Sequence, residues 1–340
     1  MISEKKTLQT TLGKINVNCS NPFSQKVNGF QMSSLLQDLV AYAGQLNVYE
    51  KSNDILERFL GIEISTMQVN KVTDFYGLNC AKEEALLQPS LKPLKPDEVL
   101  YVEADGSMLF TRDNGWKEVK VGRLFKSGDC IDPNGKQSCI RHSQYFGHLG
   151  DSKTFTSGMD TIIDNYKVLP NKLVFISDGA PWIKNWIEDS FPEAISILDY
   201  YHALEHLYQF AEKVFSDKSE SEKWTDQQKE LLLESNVDDV IYNINILGKE
   251  SNAKAVNELI NYYDSNKNRM DYKYYKTIGA GIIGSGAIES AHRTLIQNRM
   301  KLSGQRWSIK GAQHMINLKT VYLNENWDKI TFLSKMNVAA

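Results

Sequence analysis

Cysteine, proline, long apolar runs and, over one stretch, acid are all scarce in this chain, and each scarcity removes a class of protein. The four cysteines, Cys19, Cys80, Cys130 and Cys139, are scattered and form no Cys-x-x-Cys pair. That excludes a disulfide framework and a thioredoxin-like redox centre, and it points to a reducing cytoplasm. No run of ~18 apolar residues occurs, so no membrane-spanning helix is expected. An apolar signal segment is also missing from the N-terminus, in keeping with a cytoplasmic location. Of the eight prolines, three crowd into Gln88–Pro96 and mark a linker. Finally, Ser290–Asn324 holds six Lys or Arg and no Asp or Glu, on a chain whose net charge is -3. A basic face can therefore exist on a slightly acidic protein, although a solvated helix surface would carry the same charge.

What is present falls into four parts. Residues 1–95 read as a small all-α N-terminal domain ending in the linker, with helical periodicity over Ser33–Gln45, Glu50–Phe59 and Ser65–Phe75. Ser65 is a plausible N-cap, and the second and third helices are spaced as a possible helix-turn-helix. Over 96–215 the pattern turns to strands: Val99–Ala104, Lys117–Leu124 and Ser143–Leu149, then a helix over Phe155–Asn165, a strand over Lys172–Ile176, a helix from Trp182 and a strand over Ile195–Leu198. Three strands, a helix, a strand, a helix and a strand is the element order of an α/β, ribonuclease H-like fold. Residues 216–278 are polar and helix-periodic, a helical insertion before a glycine-rich approach to one more helix. The last part, 279–340, combines that helix with the basic tract.

Two apolar strand-like runs end in Asp-Gly, Val102-Glu-Ala-Asp-Gly106 and Phe175-Ile-Ser-Asp-Gly-Ala180, and Glu289 lies one turn into the helix that opens at Gly284-Ser-Gly-Ala-Ile-Glu-Ser290. Asp105, Asp178 and Glu289 are the acid set that magnesium or manganese chemistry wants. Hard divalent cations take oxygen ligands, and a pair of them ~3.5–4 Å apart stabilises both the attacking and the leaving oxygen of an in-line phosphoryl displacement. Two carboxylates within ~4 Å repel by ~4 kcal/mol at an effective dielectric of ~20, so such a cluster calls for a metal or a proton.

At these blocks the chain resembles the DDE transposases of bacterial insertion sequences, in a group related to the Mutator-like enzymes. The resemblance spans roughly residues 95–323 and includes Ser177-Asp-Gly-Ala-Pro-Trp-Ile183, Ile197-Leu-Asp-Tyr-Tyr-His202, the glycine-rich block ending at Ser290, and Arg299-Met-Lys-Leu-Ser-Gly-Gln-Arg-Trp-Ser308. It implies a ribonuclease H-like fold, two Mg2+ (or Mn2+) ions on Asp105, Asp178 and Glu289, and cleavage and strand transfer of DNA. It further implies element ends and target DNA as partners, a homo-oligomer assembled on DNA, and a nucleoid-associated protein. Asp199 and His202 match that group's Cys-or-Asp, two residues, His signature, which implies a place beside the active site. Taken singly, Asp-Gly after a strand is an ordinary turn signal and Glu289 could pair with Arg293 on a helix face. The joint occurrence of the blocks sets these acids apart. The region before Asn21 is short beside longer members, as in a truncated copy.

Arg293, Arg299, Lys301, Arg306 and Lys310 are the expected phosphate contacts, and Trp307 is either a stacking platform for an unpaired base or a core residue. Met315, Leu318 and Tyr322 read as the buried face of a last helix. A competing reading starts from His202-Ala-Leu-Glu-His206, the His-x-x-Glu-His pattern of zinc peptidases, which leaves the three acid blocks unexplained. A ribonuclease H-like nuclease that cuts without joining, and a catalytically silent DNA-binding relative, are two further readings. Gly279-Ala-Gly-Ile-Ile-Gly284 lacks the preceding apolar strand and the following acid of a dinucleotide site. It reads as a flexible approach with Ser285 as helix cap. Cys130, Cys139, His142 and His148 are too irregularly spaced for a zinc knuckle.

Overall fold

The computed structural model describes residues 5–19, 25–82, 93–132, 138–248 and 253–336. Strands β1 (Lys5–Thr10) and β2 (Gly13–Asn18) form an antiparallel hairpin, followed by helices α1 (Ser34–Leu46), α2 (Tyr49–Leu60) and α3 (Thr66–Lys82). Ser33 caps α1 through Leu36 N, Ser65 Oγ accepts from Gln68 N at the start of α3, and α2 stops at Gly61 in the left-handed conformation. The all-α expectation for this part is thus corrected at its start by the hairpin. The expected linker lies mostly outside the described residues, which resume at Pro93.

Next come β3 (Leu100–Thr111), β4 (Gly115–Lys126), the short β5 (Cys130–Ile131) and β6 (Cys139–Ile140), β7 (Gln144–Leu149), α4 (Ser152–Asn165), β8 (Leu173–Ser177), α5 (Pro181–Ser190) and β9 (Ile195–Leu198). The five long strands make one mixed sheet in the order β7-β4-β3-β8-β9, antiparallel from β7 to β3 and parallel from β3 to β9. Each expected strand is found, with β3 and β4 longer than their apolar runs because they pair along their whole length. Helices α6 (Tyr200–Val214), α7 (Lys218–Leu233), α8 (Val237–Gly248), α9 (Ala253–Asn266) and the one-turn α10 (Tyr272–Tyr275) follow. The chain closes with α11 (Gly286–Ala291), a π-helical turn over His292–Gln297, the short α12 (Asn298–Met300), α13 (Ile309–Leu323) and α14 (Asp328–Lys335).

Both faces of the sheet are covered, which is why its strands read as continuous apolar runs. Leu100, Val102, Leu124 and Phe175 bury against α4 and α5 through Phe155, Met159 and Trp186. On the other face Tyr101, Phe125, Val174, Ile176 and Ile197 meet the helices of 200–275 through Leu204, Leu207, Leu259 and Tyr263. Further along that face Leu109, Val119 and Val121 pack on Leu295, Ile296, Met315 and Ile316. Each such side chain contributes about 1.5–3 kcal/mol when fully buried. Met315 and Leu318 are buried as expected, and Tyr322 is partly so.

Helices α1–α3 do not form a free-standing bundle. Val69, Val72 and Tyr76 share one core with Leu318, Ile330 and Leu333 of α13 and α14. The approach of α3 to α13 is close enough that a Cβ on Gly77 would lie 2.2 Å from the backbone oxygen of His314. Glycine is therefore required there on steric grounds.

Candidate functional site

The parallel register places the acids. Leu100–Glu103 of β3 pairs with Leu173–Ile176 of β8, so Asp105 and Asp178 occupy equivalent positions two residues further on, just past the last paired residues. Neighbouring strands lie ~4.8 Å apart, and the carboxyl ends of parallel strands are where α/β sites form. Asp178 follows β8 directly, and its Oδ1 accepts from Ala180 N at 2.9 Å. Asp105, expected at a strand end, sits within β3 instead, because β4 continues to pair through Thr111. Gly106 follows it within the strand, and a Cβ there would strike the Glu118 carboxylate at 2.1 Å.

At the same edge Asp199 follows β9 and caps α6, with Oδ1 accepting from Tyr201 N at 2.8 Å and Oδ2 accepting from Ser285 Oγ. Ser285 precedes α11 without capping it: its hydroxyl is turned to the stronger acceptor, the Asp199 carboxylate. Two bonds dock the helix that carries Glu289 on the sheet. Glu103 Oε2 accepts from Ile288 N at 2.7 Å, and Arg123 Nη1 donates to Ala287 O at 2.8 Å. Glu289 itself is exposed, as is Arg293.

Glu103 is a residue that the sequence reading passed over. It is fully buried, and burial pushes its pKa up to about 8, against the lowering influence of the Ile288 N–H and Arg123, with Asp199 and Glu289 adding to the rise. The signal was available: a glutamate inside an apolar strand two residues from a candidate catalytic aspartate lies on the same face of the sheet. His292 was likewise missed. It is buried, with Nε2 3.2 Å from Asp105 Oδ2 at ion-pair range but not in hydrogen-bond alignment, and Nδ1 3.1 Å from Ser107 Oγ. Ser107 Oγ also accepts from Lys301 Nζ at 3.1 Å. If the hydroxyl donates to Nδ1, the imidazole proton sits on Nε2 facing Asp105. Burial lowers the Lys301 pKa while Asp105 opposes the shift. His292 opens the π turn, a geometry common at functional sites.

His202 and His206 lie one turn apart on α6 with ring centroids 4.8 Å apart, and His206 packs on Tyr262 at 4.2 Å. Burial, then His202, lowers the His206 pKa. The Glu205 carboxylate lies 3.5 Å from His202 Nδ1. Tyr262 donates to the Asp178 carbonyl at 3.3 Å, joining α9 to the same loop. Cys130 and Cys139 sit diagonally on the small β5-β6 pair, while His142 and His148 each face an aspartate, Asp129 and Asp151. Among the described residues no group of three His, Cys, Asp or Glu is close enough to hold a metal ion. That applies to the histidine pair, to the cysteines and to the three acids as they stand.

The basic tract divides. Arg306, Lys310 and Lys301 are exposed. Arg299 is a correction: it is 2% exposed, donates from Nε to Gly44 O at 3.1 Å and lies between the rings of Tyr49 and Trp307 at 4.8 and 5.2 Å. It joins α1 and α2 to the end of the chain and is no free surface cation. Trp307 is 9% exposed and donates to Met300 O at 3.1 Å, so of the two readings offered for it the core one holds here.

Residues 3–333 match the uncharacterised protein family UPF0236, and the chain belongs to that family. It is similar, at 24% identity over 315 residues, to a UPF0236 protein in the vanSb 3' region of Streptococcus gallolyticus. The match covers 85% of this chain and 65% of that relative, so the chain spans just under two thirds of the relative's length. No helix among the described residues is long and apolar enough to cross a membrane.

Proposed function

We propose that this protein is a DNA transposase that cuts the ends of its element and joins the freed 3' hydroxyls to target DNA. The observation that carries the reading is the register match of Asp105 with Asp178 at the sheet edge, with the Glu289 helix docked beside them through Glu103 and Arg123. The strand order, with one antiparallel strand between two others and a parallel half carrying the acids, supports a ribonuclease H-like sheet.

Asp105 and Asp178 offer the hard oxygen donors that magnesium takes, and one or two carboxylates with substrate phosphate and water are its usual complement. The donor chemistry of the two aspartates fits, and the exposed Glu289 carboxylate would be the third ligand. The bound ions would supply the charge that activates water and stabilises the leaving oxygen. His292 would orient the Asp105 carboxylate from behind, and Lys301 would bring positive charge to the DNA side of the site. Asp199 caps α6 and would thereby hold His202, three residues further on, close to the acid-bearing edge.

Purified protein with supercoiled plasmid carrying the DNA flanking its gene, in magnesium or manganese, tests this. Wild type should nick and join, and Asp105→Asn, Asp178→Asn and Glu289→Gln should each lose at least ~10³-fold in rate without losing DNA binding. Cleavage without joined product would make the protein a nuclease, and any variant cutting at the wild-type rate would remove that residue from the set.

A further inference from the structure

An open cleft of about 310 Å³ lies between the first turns of α3, the tip of the β3-β4 hairpin and the segment before α13. Arg112, Arg299 and Arg306 all line it, with Asn70, Gln305 and Ser308, and no carboxylate does. Three guanidiniums, one from the hairpin tip and two from the basic block, repel one another unless something anionic lies between them. The usual neutralising partners are weak or absent. Among the described residues Arg112 meets only its neighbour Asp113, at 3.7 Å and well exposed, and Arg306 has no ion pair. Arg299 is nearly inaccessible to solvent, sandwiched between Tyr49 and Trp307, and its Nη2 has no hydrogen-bond partner among the described residues. A desolvated cation without a counter-ion is costly to bury and projects its charge through a low dielectric.

The walls are rigid. The Arg112 N–H donates to Trp307 O at 2.9 Å, Thr111 pairs with Trp307 as a bridge, and Asp113 Oδ2 accepts from Ile309 N at 2.9 Å, so hairpin tip and basic segment move as one body. The planar guanidinium forks of Arg112 and Arg306 match the tetrahedral oxygens of phosphate better than a lysine's point charge would.

From these observations we infer that the cleft is a phosphate site that grips the sugar-phosphate backbone of duplex DNA, clamping it where the N-terminal helices meet the catalytic sheet. The inference rests on the proposed transposase reading and adds to it a second point of attachment. Arg112, the residue after β3, lies seven residues from Asp105, roughly 24 Å at ~3.4 Å per residue. One duplex can therefore reach the cleft and the acids together.

The test uses full-length protein and a fluorescent duplex with calcium in place of magnesium, titrated in salt. Arg112→Gln, Arg306→Gln and the double variant are compared with Lys254→Gln, a control on the solvent face of α9. Both arginine side chains are exposed, so the fold should survive, and unchanged thermal melting confirms it. The double variant should bind at least ~10-fold more weakly and flatten the slope of log affinity against log salt by about two, since each phosphate no longer neutralised takes ~0.9 from it. Inorganic phosphate at millimolar concentration should raise the melting temperature of wild type but not of the double variant. Wild-type affinity and slope in the double variant would overturn the cleft while leaving the transposase reading intact. No duplex binding by wild type would overturn both.

Discussion

Replacing Glu103 by Gln should flatten the pH dependence of this protein's stability. In the native state the carboxyl is fully buried and its pKa is pushed up to about 8, from an ordinary value of 4.5. Between those two values the unfolded chain has released the proton and the folded chain has kept it. The unfolded state therefore binds fewer protons, and stability falls as pH rises. The loss is ~1.4 kcal/mol per pH unit, starting near pH 4.5 and ending near pH 8, where both states are ionised, and over that span it sums to about 3–5 kcal/mol. Glutamine is nearly isosteric and its amide oxygen can still accept from Ile288 N, so Glu103→Gln keeps the bond and drops the titration. Urea unfolding of both proteins at pH 5.5, 7 and 8.5, without divalent cations, measures the difference. The advantage of the variant over wild type should widen by ~1 kcal/mol or more per pH unit up to pH 8. Parallel curves would refute the reasoning and show that Glu103 is ionised in the folded protein, held by Arg123.

His206 has its pKa lowered by burial, so the folded state resists protonation and stability should fall as pH drops through the imidazole range; His206→Gln should remove that loss, seen as a smaller change in melting temperature between pH 7.5 and 5.5. Elemental analysis belongs beside it: stoichiometric zinc lost in both His202→Ala and His206→Ala would favour a zinc peptidase, whereas phosphoryl transfer expects His202→Ala to slow cleavage much more than His206→Ala. Gly77→Ala should cost about 1–3 kcal/mol by forcing α3 from α13, read in denaturant midpoint, and a change under ~0.5 kcal/mol would mean the two helices part easily.

Much of the sheet was legible because both of its faces are buried, so each strand announced itself as an apolar run bounded by turns. Ile195–Leu198 matches to the residue, and Asp199 stands as a cap where Asp after a strand and before a helix should. Long-range contacts were not legible. Nothing local distinguishes Arg299 from Arg306, since both sit in one basic block, and only the fold carries Tyr49 and Gly44 to the first and leaves the second in solvent. Ser285 has the chemistry of a cap but faces a carboxylate 86 residues away in sequence. Glu103 was hidden for a different reason: in a strand of Val and Ala, one glutamate reads as the polar member of an alternation until the helix that buries it is in place.

The two ends of the chain are locked together. Asn28 Nδ2 donates to Leu333 O at 3.2 Å, and both oxygens of Asp38 accept bonds from the far end, from Trp327 Nε1 at 2.6 Å and Thr331 Oγ1 at 2.9 Å. Helices α1–α3 are made about 230 residues before α13, and the apolar face that they share with α13 and α14 stays uncovered until those two helices have been made. Their core cannot close during synthesis, and contacts at such separation are slow to form. A chain ending before Asp328 would lack Ile330 and Leu333, and the core that holds Val72 and Tyr76 would be left without them. Synthesis of α14 is therefore a precondition for closing the core built on α1–α3.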